Sequence, residues 1–158
     1  MNFDPYGYLA PYKATKMDLV PFQELFVEAF TTSSTRQRLF ERYLEYNEML
    51  KELIPDGFIQ WVNGSFVTKK QNPADIDLVT FVNYDLLQEK DEHFRRLREL
   101  RFKRRAEIDC YFITVYPENH RLFPLYQYDR AEWLFNFTRT FPKPGTPKRN
   151  KGFVELTY

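Results

Sequence analysis

The feature that most constrains this chain of 158 residues is the stretch WVNGSFVTKKQNPADIDLVTFV, residues 61–82. It predicts an apolar strand that ends at Gly64-Ser65, a polar loop, and a second apolar strand that opens with Asp75 and Asp77. Because alternate strand residues face the same way, both aspartates project to one side and the apolar residues to the other. Their mutual repulsion is costly unless a cation lies between them, so the pattern predicts a binding site.

A later strand offers another acid for this site. The segment EIDCYFI, residues 107–113, predicts a strand in which Asp109 alternates with apolar neighbours. Glu107 lies on the same face of that strand and is the alternative to Asp109. Carboxylate oxygens are ligands that Mg²⁺ prefers, and three of them can hold the two ions used in phosphoryl transfer. The sequence therefore predicts a magnesium site formed by Asp75, Asp77 and Asp109.

Such a site also needs groups that hold a triphosphate. Gly64 lets the backbone approach a phosphate closely, and the Ser65 hydroxyl and nearby amide N–H groups can donate hydrogen bonds to it. Lys69 and Lys70 lie in the same loop, and either can contact phosphate. We take Lys69 as the candidate, with a solvated loop charge as the alternative for each lysine.

The Gly-Ser pair, the loop, the Asp-Ile-Asp-Leu sequence of residues 75–78 and Asp109 together resemble the signature of the DNA polymerase β-like nucleotidyltransferase superfamily. Within that superfamily, the chain resembles a group of small bacterial nucleotidyltransferase-like proteins in which a helical lead-in precedes GSFVT and DIDLV and the chain ends near KGFVEL. The resemblance covers most of the chain from about Pro11.

This resemblance implies an α/β (α+β) fold, a small mixed β-sheet flanked by helices with a helical N-terminal lead-in. It implies Mg²⁺-dependent transfer of a nucleoside monophosphate from a nucleoside triphosphate to a macromolecular hydroxyl, on a partner protein or on RNA. In this interpretation Asp75 and Asp77 bind metal, Asp109 completes the site, and Gly64, Ser65 and Lys69 bind the nucleotide. A catalytically silent binding module on the same fold, such as an antitoxin or complex subunit, is the alternative.

Minimal nucleotidyltransferases that are paired with toxin proteins resemble this chain in size and in the Gly-Ser and Asp-x-Asp motifs. Those proteins usually place an arginine soon after the serine and a serine just before the first aspartate. Here residues 66–68 are Phe-Val-Thr and residues 73–74 are Pro-Ala. The loop therefore differs from the toxin-paired pattern at the positions that flank the predicted site.

The hydrophobic pattern predicts one domain over residues 1–158, with an arm and helical lead-in over 1–55 and a catalytic core with a C-terminal strand over 56–158. Residues 1–13 predict an irregular arm. Helices are predicted from Thr15, where Thr15 and Asp18 have capping-box spacing, over 31–54, over 85–102, and near Asp129, which is placed to cap the last one.

Charge is balanced overall, since the formal net charge is +1, so attraction to nucleic acid must come from local clusters. The strongest cluster is RRLRELRFKRR, which can follow an RNA backbone. Acidic residues in the preceding turns favour a solvated helix face instead. The RNA-guiding candidates are Arg95, Arg96, Arg98, Arg101, Arg104 and Arg105. Cations at 143, 148, 149 and 151 extend this surface only if the fold brings the two stretches together.

The single cysteine, Cys110, cannot form an internal disulfide, and its apolar neighbours predict a buried side chain. No apolar run approaches the roughly 20 residues that span a bilayer. The first residues lack a basic and hydrophobic leader. We therefore expect a cytoplasmic protein with no membrane contact.

Overall fold

The computed structural model describes residues 2–99, 107–141, 145 and 147–158. The strands are β1 (Asn2–Phe3), β2 (Leu9–Ala10), β3 (Ala14–Lys16), β4 (Ile59–Asn63), β5 (Ile76–Asn83), β6 (Ile108–Val115) and β7 (Phe153–Thr157). β1 and β2 form a small antiparallel pair, and the other five strands form one sheet in the order β3-β7-β4-β5-β6. β4 runs antiparallel to β5 and β7, whereas β3 and β6 pair in parallel with β7 and β5.

Helices lie on both faces of this sheet. They are α1 (Leu19–Gln23), α2 (Arg36–Leu53), α3 (Tyr84–Glu89), α4 (Asp91–Glu99) and α5 (Phe123–Phe137). A π-helical turn, Glu24–Glu28, continues α1 directly. The mixed sheet flanked by helices confirms the predicted α+β class. Within the described residues, no helix is long and apolar enough to cross a membrane.

Helix α2, which lies within the helix predicted over 31–54, covers one face of the sheet through an apolar stripe. Leu39, Tyr43, Tyr46 and Leu50 recur at helical spacing and are at most 1% exposed. They pack in one core with apolar residues of β4, β5, β6 and β7. Cys110 belongs to the same core and is buried, as predicted.

A buried polar network fixes α2 on the sheet. The Tyr43 hydroxyl donates to Gln60 Oε1 at 2.7 Å, and the Gln60 amide nitrogen donates to Thr80 Oγ1 at 3.0 Å. Asn47 Nδ2 donates to the Tyr158 hydroxyl at 3.1 Å, so the C-terminal residue joins the network. Since buried polar groups are costly without partners, these bonds favour one placement of the helix.

Helix α5 covers the opposite face with an aromatic core. Trp61, Phe137 and Phe153 pack with ring centroids 5.0 to 6.4 Å apart, beside Val79 and Ile113. Trp61 and Phe137 are buried, whereas the side chain of Phe135 is 53% exposed on the outer side of α5.

The first predicted helix begins later than expected. Thr15 lies in β3, where it pairs with Val154 of β7, so the proposed capping box with Asp18 does not form. A short strand that adds to a sheet edge satisfies its backbone groups through a partner far away in sequence, and local spacing cannot reveal this. The arm is also more ordered than predicted, because β1 and β2 pair within it.

Two other helices differ from the prediction. The helix expected over 85–102 is interrupted at Lys90, whose ψ of 31° separates α3 from α4, and residues 100–102 lie outside the described part. Helix α5 begins at Phe123, with Pro124 in its first turn, a position where proline is favourable. Asp129 therefore lies within the helix, and its predicted role as a cap is wrong.

Candidate active site

The strand register brings two of the predicted acids side by side. Asp77, on the interior strand β5, is the direct partner of Asp109 on β6 and of Asn63 on β4. Asp75 immediately precedes β5 and, two residues away, shares the face of Asp77. All three carboxylates therefore belong to the end of the sheet where β5 and β6 begin and β4 ends.

Gly64 holds the Gly-Ser turn directly against this acidic group. Its φ of +79° lies in the left-handed region that favours glycine. A Cβ at this position would overlap the carboxyl group of Asp77, so any larger residue displaces that side chain. Backbone conformation and close approach thus both require glycine here, and the predicted phosphate-binding turn and the predicted metal ligand are in contact.

A cleft of about 840 Å³ opens beside these residues. Gly64, Ser65 and Asp77 lie in its wall, together with residues of the N-terminal arm and of the segment before β7. Among the described residues, four cationic side chains line it: Lys69, Lys70, Arg149 and Lys151. The volume is within the range of pockets that hold a small-molecule ligand, and the cations suit an anionic one.

The carboxylates at this end of the sheet are held at an electrostatic cost. Burial, followed by the nearby charges of Asp75 and Asp109, raises the pKa of Asp77 to about 6, while Lys151 opposes the shift. Burial and the charge of Asp109 also raise the pKa of Asp75, against the effect of Lys70. Among the described residues, neither Asp75 nor Asp77 has a cation within salt-bridge distance. A bound cation would relieve this repulsion.

The chemistry of this donor set fits Mg²⁺. The ligands are carboxylate oxygens that repel one another, and a hard divalent cation favours such an environment. Asp109 also accepts a hydrogen bond from the Tyr111 hydroxyl at 3.2 Å, a contact that fixes the orientation of a ligand. In the described part of the chain, no three acidic, histidine or cysteine side chains are already gathered as a ready-made ligand set. Metal binding by Asp75, Asp77 and Asp109 remains a prediction.

Comparison with protein families adds one finding. A model described as a family of unknown function, DUF6932, matches residues 1–157. The chain belongs to the DUF6932 family. Comparisons with curated proteins and with solved structures gave no significant match.

The structure gives the alternative acid of this DUF6932 protein another role. The Glu107 carboxylate forms ion pairs with Arg38 at 3.0 Å and with Arg42 at 3.5 Å, both on α2. Glu107 therefore lies where β6 meets α2, with its charge already compensated. Asp109, not Glu107, is the residue in register with Asp77.

Lys69 and Lys70 both line the cleft and are exposed. Lys69 packs against Gly7 of the arm, and its ammonium lies 5.8 Å from the ring centroid of Phe3. Its backbone N–H donates to the Gly7 carbonyl at 2.8 Å. The loop lysines are thus placed where the N-terminal arm docks on the loop.

Arg36 is a residue of the site region that sequence reasoning missed. Its guanidinium is fully buried and donates to the carbonyls of Phe26, Phe66, Thr68 and Lys70 at 2.6 to 2.8 Å. Burial lowers its pKa to about 10. Three of these acceptors belong to the loop that follows Gly-Ser, so Arg36 fixes the path of that loop.

Lys151 is a second residue that the sequence did not assign to the site. Its backbone N–H donates to the Thr138 carbonyl at 2.9 Å, and the next N–H, of Gly152, donates to Leu9 at 2.6 Å. The side chain is mostly buried, and its pKa is lowered by burial, against the charge of Asp77. The backbone at Lys151 is therefore fixed, its side chain lines the cleft, and its charge acts on Asp77.

The predicted RNA-guiding helix presents its charges differently. Arg95 and Arg96 of α4 are exposed and pair with Glu92 or Glu99 on the same helix. Arg98 lies 5.8 Å from the ring centroid of Phe112. These contacts favour the solvated helix face over an open basic stripe. Arg101, Arg104 and Arg105 lie outside the described residues.

Proposed function

We propose that this DUF6932 protein is a Mg²⁺-dependent nucleotidyltransferase, of the polymerase β-like type, that transfers a nucleoside monophosphate from a nucleoside triphosphate to a macromolecular hydroxyl. The observation that carries this proposal is the position of Asp77, which is in register with Asp109, contacts Gly64 and lies in the wall of a cation-lined cleft. Acidic and cationic groups so close together suit a ligand that combines metal ions with phosphates.

The residues divide the reaction between them. Gly64 and Ser65 hold the phosphates through backbone N–H groups and the serine hydroxyl, and Lys69 and Lys151 supply positive charge. Asp75, Asp77 and Asp109 are the residues that would hold Mg²⁺. When bound, Mg²⁺ would neutralise phosphate charge and promote ionisation of the attacking hydroxyl.

The bond changes define a substitution at phosphorus. The acceptor oxygen bonds to the α-phosphorus, the bond from that phosphorus to the bridging oxygen breaks, and pyrophosphate leaves with the electron pair. In this proposal Asp109 orients the acceptor hydroxyl and accepts its proton. Because carboxylates must be ionised for this work, we expect activity to rise with pH through the range in which they lose their protons.

The reaction is placed in the cytoplasm as part of the proposal. The single cysteine, Cys110, is fully buried and donates through Sγ to the Leu97 carbonyl at 3.2 Å. A protein that uses its thiol only for core packing does not require an oxidising compartment.

Transfer of label tests the proposal. Wild type and Asp77→Asn are incubated with each α-³²P nucleoside triphosphate, Mg²⁺ and lysate of the native host, and the products are digested with protease or nuclease. We expect macromolecular label with wild type and none with Asp77→Asn, while Asp56→Asn, in the exposed turn after α2, behaves as wild type. Equal label with wild type and Asp77→Asn would contradict the proposal.

A second candidate function has its own supporting observation. Leu125, Tyr128 and Phe135 lie on one side of α5 and are 48 to 65% exposed. An apolar face of this kind favours binding to a partner protein. In this alternative the chain is a catalytically silent module, such as an antitoxin or complex subunit. A stable complex with a protein partner that forms equally well with Asp77→Asn, without transfer of any label, would favour it.

A further inference from the structure

A smaller cleft continues the candidate active site toward the C-terminal end of α5. Its volume is about 120 Å³, and it is lined by Phe135, Asn136, Arg139, Thr140, Phe141 and Lys148. Asn136, Thr140 and Phe141 also line the larger cleft. The two clefts therefore share a wall, and one surface leads from Asp77 to the outer side of α5.

Aromatic rings are exposed along this surface. Phe141 is 75% exposed, Tyr6 is 63% exposed and Phe135 is 53% exposed. Two of the rings carry a guanidinium on their face, because Arg139 lies 3.9 Å from the Phe135 centroid and Arg149 lies 3.3 Å from the Tyr6 centroid. Exposed rings beside cations are the arrangement on which unpaired bases stack while their phosphates are neutralised.

Apart from the predicted metal site, the charged side chains described on this surface are all positive. Among the described residues that line the two clefts, Asp77 is the single acid. The cations are Lys69, Lys70, Arg139, Lys148, Arg149 and Lys151. A chain with almost no net charge thus concentrates positive charge beside its candidate active site, which indicates a polyanionic partner.

We propose that this surface binds single-stranded RNA and delivers its terminal hydroxyl to the site at Asp77 and Asp109. The inference rests on the proposed function and specifies its acceptor. Phe141, Phe135 and Tyr6 stack on unpaired bases, and Arg139, Lys148 and Arg149 contact the phosphates. The RNA path follows α5 and the segment before β7, rather than α4, whose described arginines already have partners.

Single strands suit this surface better than a duplex. Rings stack only on bases that are not already stacked in a helix, which an RNA end or loop provides. The amide of Asn136 lies in the wall shared by both clefts, and it can both donate to and accept from a 2′-hydroxyl. In the transfer step the RNA hydroxyl oxygen bonds to the α-phosphorus, pyrophosphate leaves, and the hydroxyl proton passes to the Asp109 carboxylate.

Fluorescence anisotropy with the full chain tests the surface without requiring catalysis. The probe is a mixed-sequence single-stranded RNA of about 12 nucleotides with a 5′-fluorescein label, titrated at several salt concentrations. We expect Phe141→Ala to weaken binding by about 5- to 100-fold. Arg139→Gln should lower the slope of log affinity against log salt by about 0.7. Arg96→Gln, on α4, is the matched control and should bind within about twofold of wild type.

The outcomes separate this inference from the proposed function. No RNA binding by wild type, unchanged binding by Phe141→Ala and Arg139→Gln, or equal affinity for duplex RNA of the same sequence overturns the RNA surface. Label transferred to protein by a chain that does not bind RNA overturns it too, and leaves the nucleotidyltransferase proposal intact. RNA binding that depends on Phe141 and Arg139, without transfer of any nucleotide, supports the surface and contradicts the enzyme. Both variants change exposed side chains, so melting curves like those of wild type should accompany either result.

Discussion

Two regions of this molecule are rich in charged side chains, and they differ in whether those charges are paired. On α4, Arg95 and Arg96 are exposed and pair with Glu92 and Glu99 one helical turn away. At the end of the sheet, Asp77 is held among other carboxylates, and Lys151 is the cation that opposes their effect on it. The arginines of α4 are therefore solvated and paired with acids. In contrast, Asp77 has no cation within salt-bridge distance among the described residues.

This difference shows why charge density in a sequence is a poor guide to a site. The run RRLRELRFKRR is the densest cluster of cations in the chain, yet its described members stabilise their own helix. Asp75 and Asp77 are two ordinary acids until the fold places a third beside them. Buried charge that a fold maintains at a cost is more informative, because selection has to compensate for that cost.

The largest effect should come from the residue that fixes the loop of the cleft. Arg36→Met removes a buried guanidinium and leaves four carbonyls without their donors, so the free energy of unfolding should fall by about 3–5 kcal/mol. Arg121→Met, on the exposed segment before α5, should change it by less than about 0.5 kcal/mol. Urea unfolding measures both. A loss below about 1 kcal/mol for Arg36→Met would show that the loop keeps its path without this arginine.

Asp77→Asn should stabilise the metal-free protein, and the effect should depend on pH. The pKa of Asp77 is raised from 3.8 to about 6, so as the pH rises the unfolded state loses this proton first and folding loses stability. The loss is complete above pH 6 and amounts to about 3 kcal/mol for a shift of about two units. Removing the charge should recover up to about this amount at pH 8, and progressively less toward pH 4.

Thermal unfolding in EDTA at pH 5 and pH 8 measures this dependence. For Asp56→Asn, the change in melting temperature between pH 5 and pH 8 should equal the change that wild type shows. Asp77→Asn less stable than wild type at pH 8 would mean that the charge of Asp77 is compensated in the folded protein, and the contrast with α4 would disappear.

Lys151→Met should weaken phosphate binding by about 10- to 100-fold, because a charged hydrogen-bond donor to phosphate is lost. Lys16→Met is the matched control, since the Lys16 ammonium lies 3.7 Å from Glu155 and its side chain is 88% exposed. Calorimetric titration with inorganic tripolyphosphate and Mg²⁺ measures the affinity. Equal binding by wild type and Lys151→Met would assign the phosphate to the other cations of the cleft, Lys69, Lys70 and Arg149.

The smallest effect should be on α4. Arg96→Gln removes one exposed ion pair with Glu92, so unfolding free energy should change by less than about 0.5 kcal/mol. Nucleotide transfer, measured with label from α-³²P nucleoside triphosphates, should be unchanged. A large loss of activity would mean that α4 takes part in function and is more than a solvated helix face.

Patterns within one segment predicted much of the fold. The apolar stripe of α2 and the apolar runs of β4, β5, β6 and β7 are visible without knowledge of any partner, because burial alone dictates them. The order of those strands also brings Asp109 beside Asp77, as the sequence motifs suggested. Gly64 was expected to approach a phosphate, and the structure adds its contact with Asp77.

Features that depend on distant partners were missed. Thr15 resembled a helix cap, but pairing with Val154, far along the chain, decides its conformation. Arg36 lies near the start of the helix predicted over 31–54, and only the fold supplies the four carbonyls that surround it. Lys151 is one of several cations in the same loop of the sequence, and its neighbours in the sequence do not distinguish it from the others. Backbone hydrogen bonds to the arm and to the end of α5 place it at the cleft.

The central claim is that the carboxylates at Asp77 bind a metal ion and that the cations beside them bind a phosphate. Binding of Mn²⁺ in place of Mg²⁺ tests this claim most directly. Electron paramagnetic resonance counts unbound Mn²⁺ during titration of wild type and Asp77→Asn, with and without inorganic tripolyphosphate. We expect binding by wild type, tighter binding when tripolyphosphate is present, and loss of both in Asp77→Asn. Equal Mn²⁺ binding by the two proteins, or none by wild type even with tripolyphosphate, would contradict the claim.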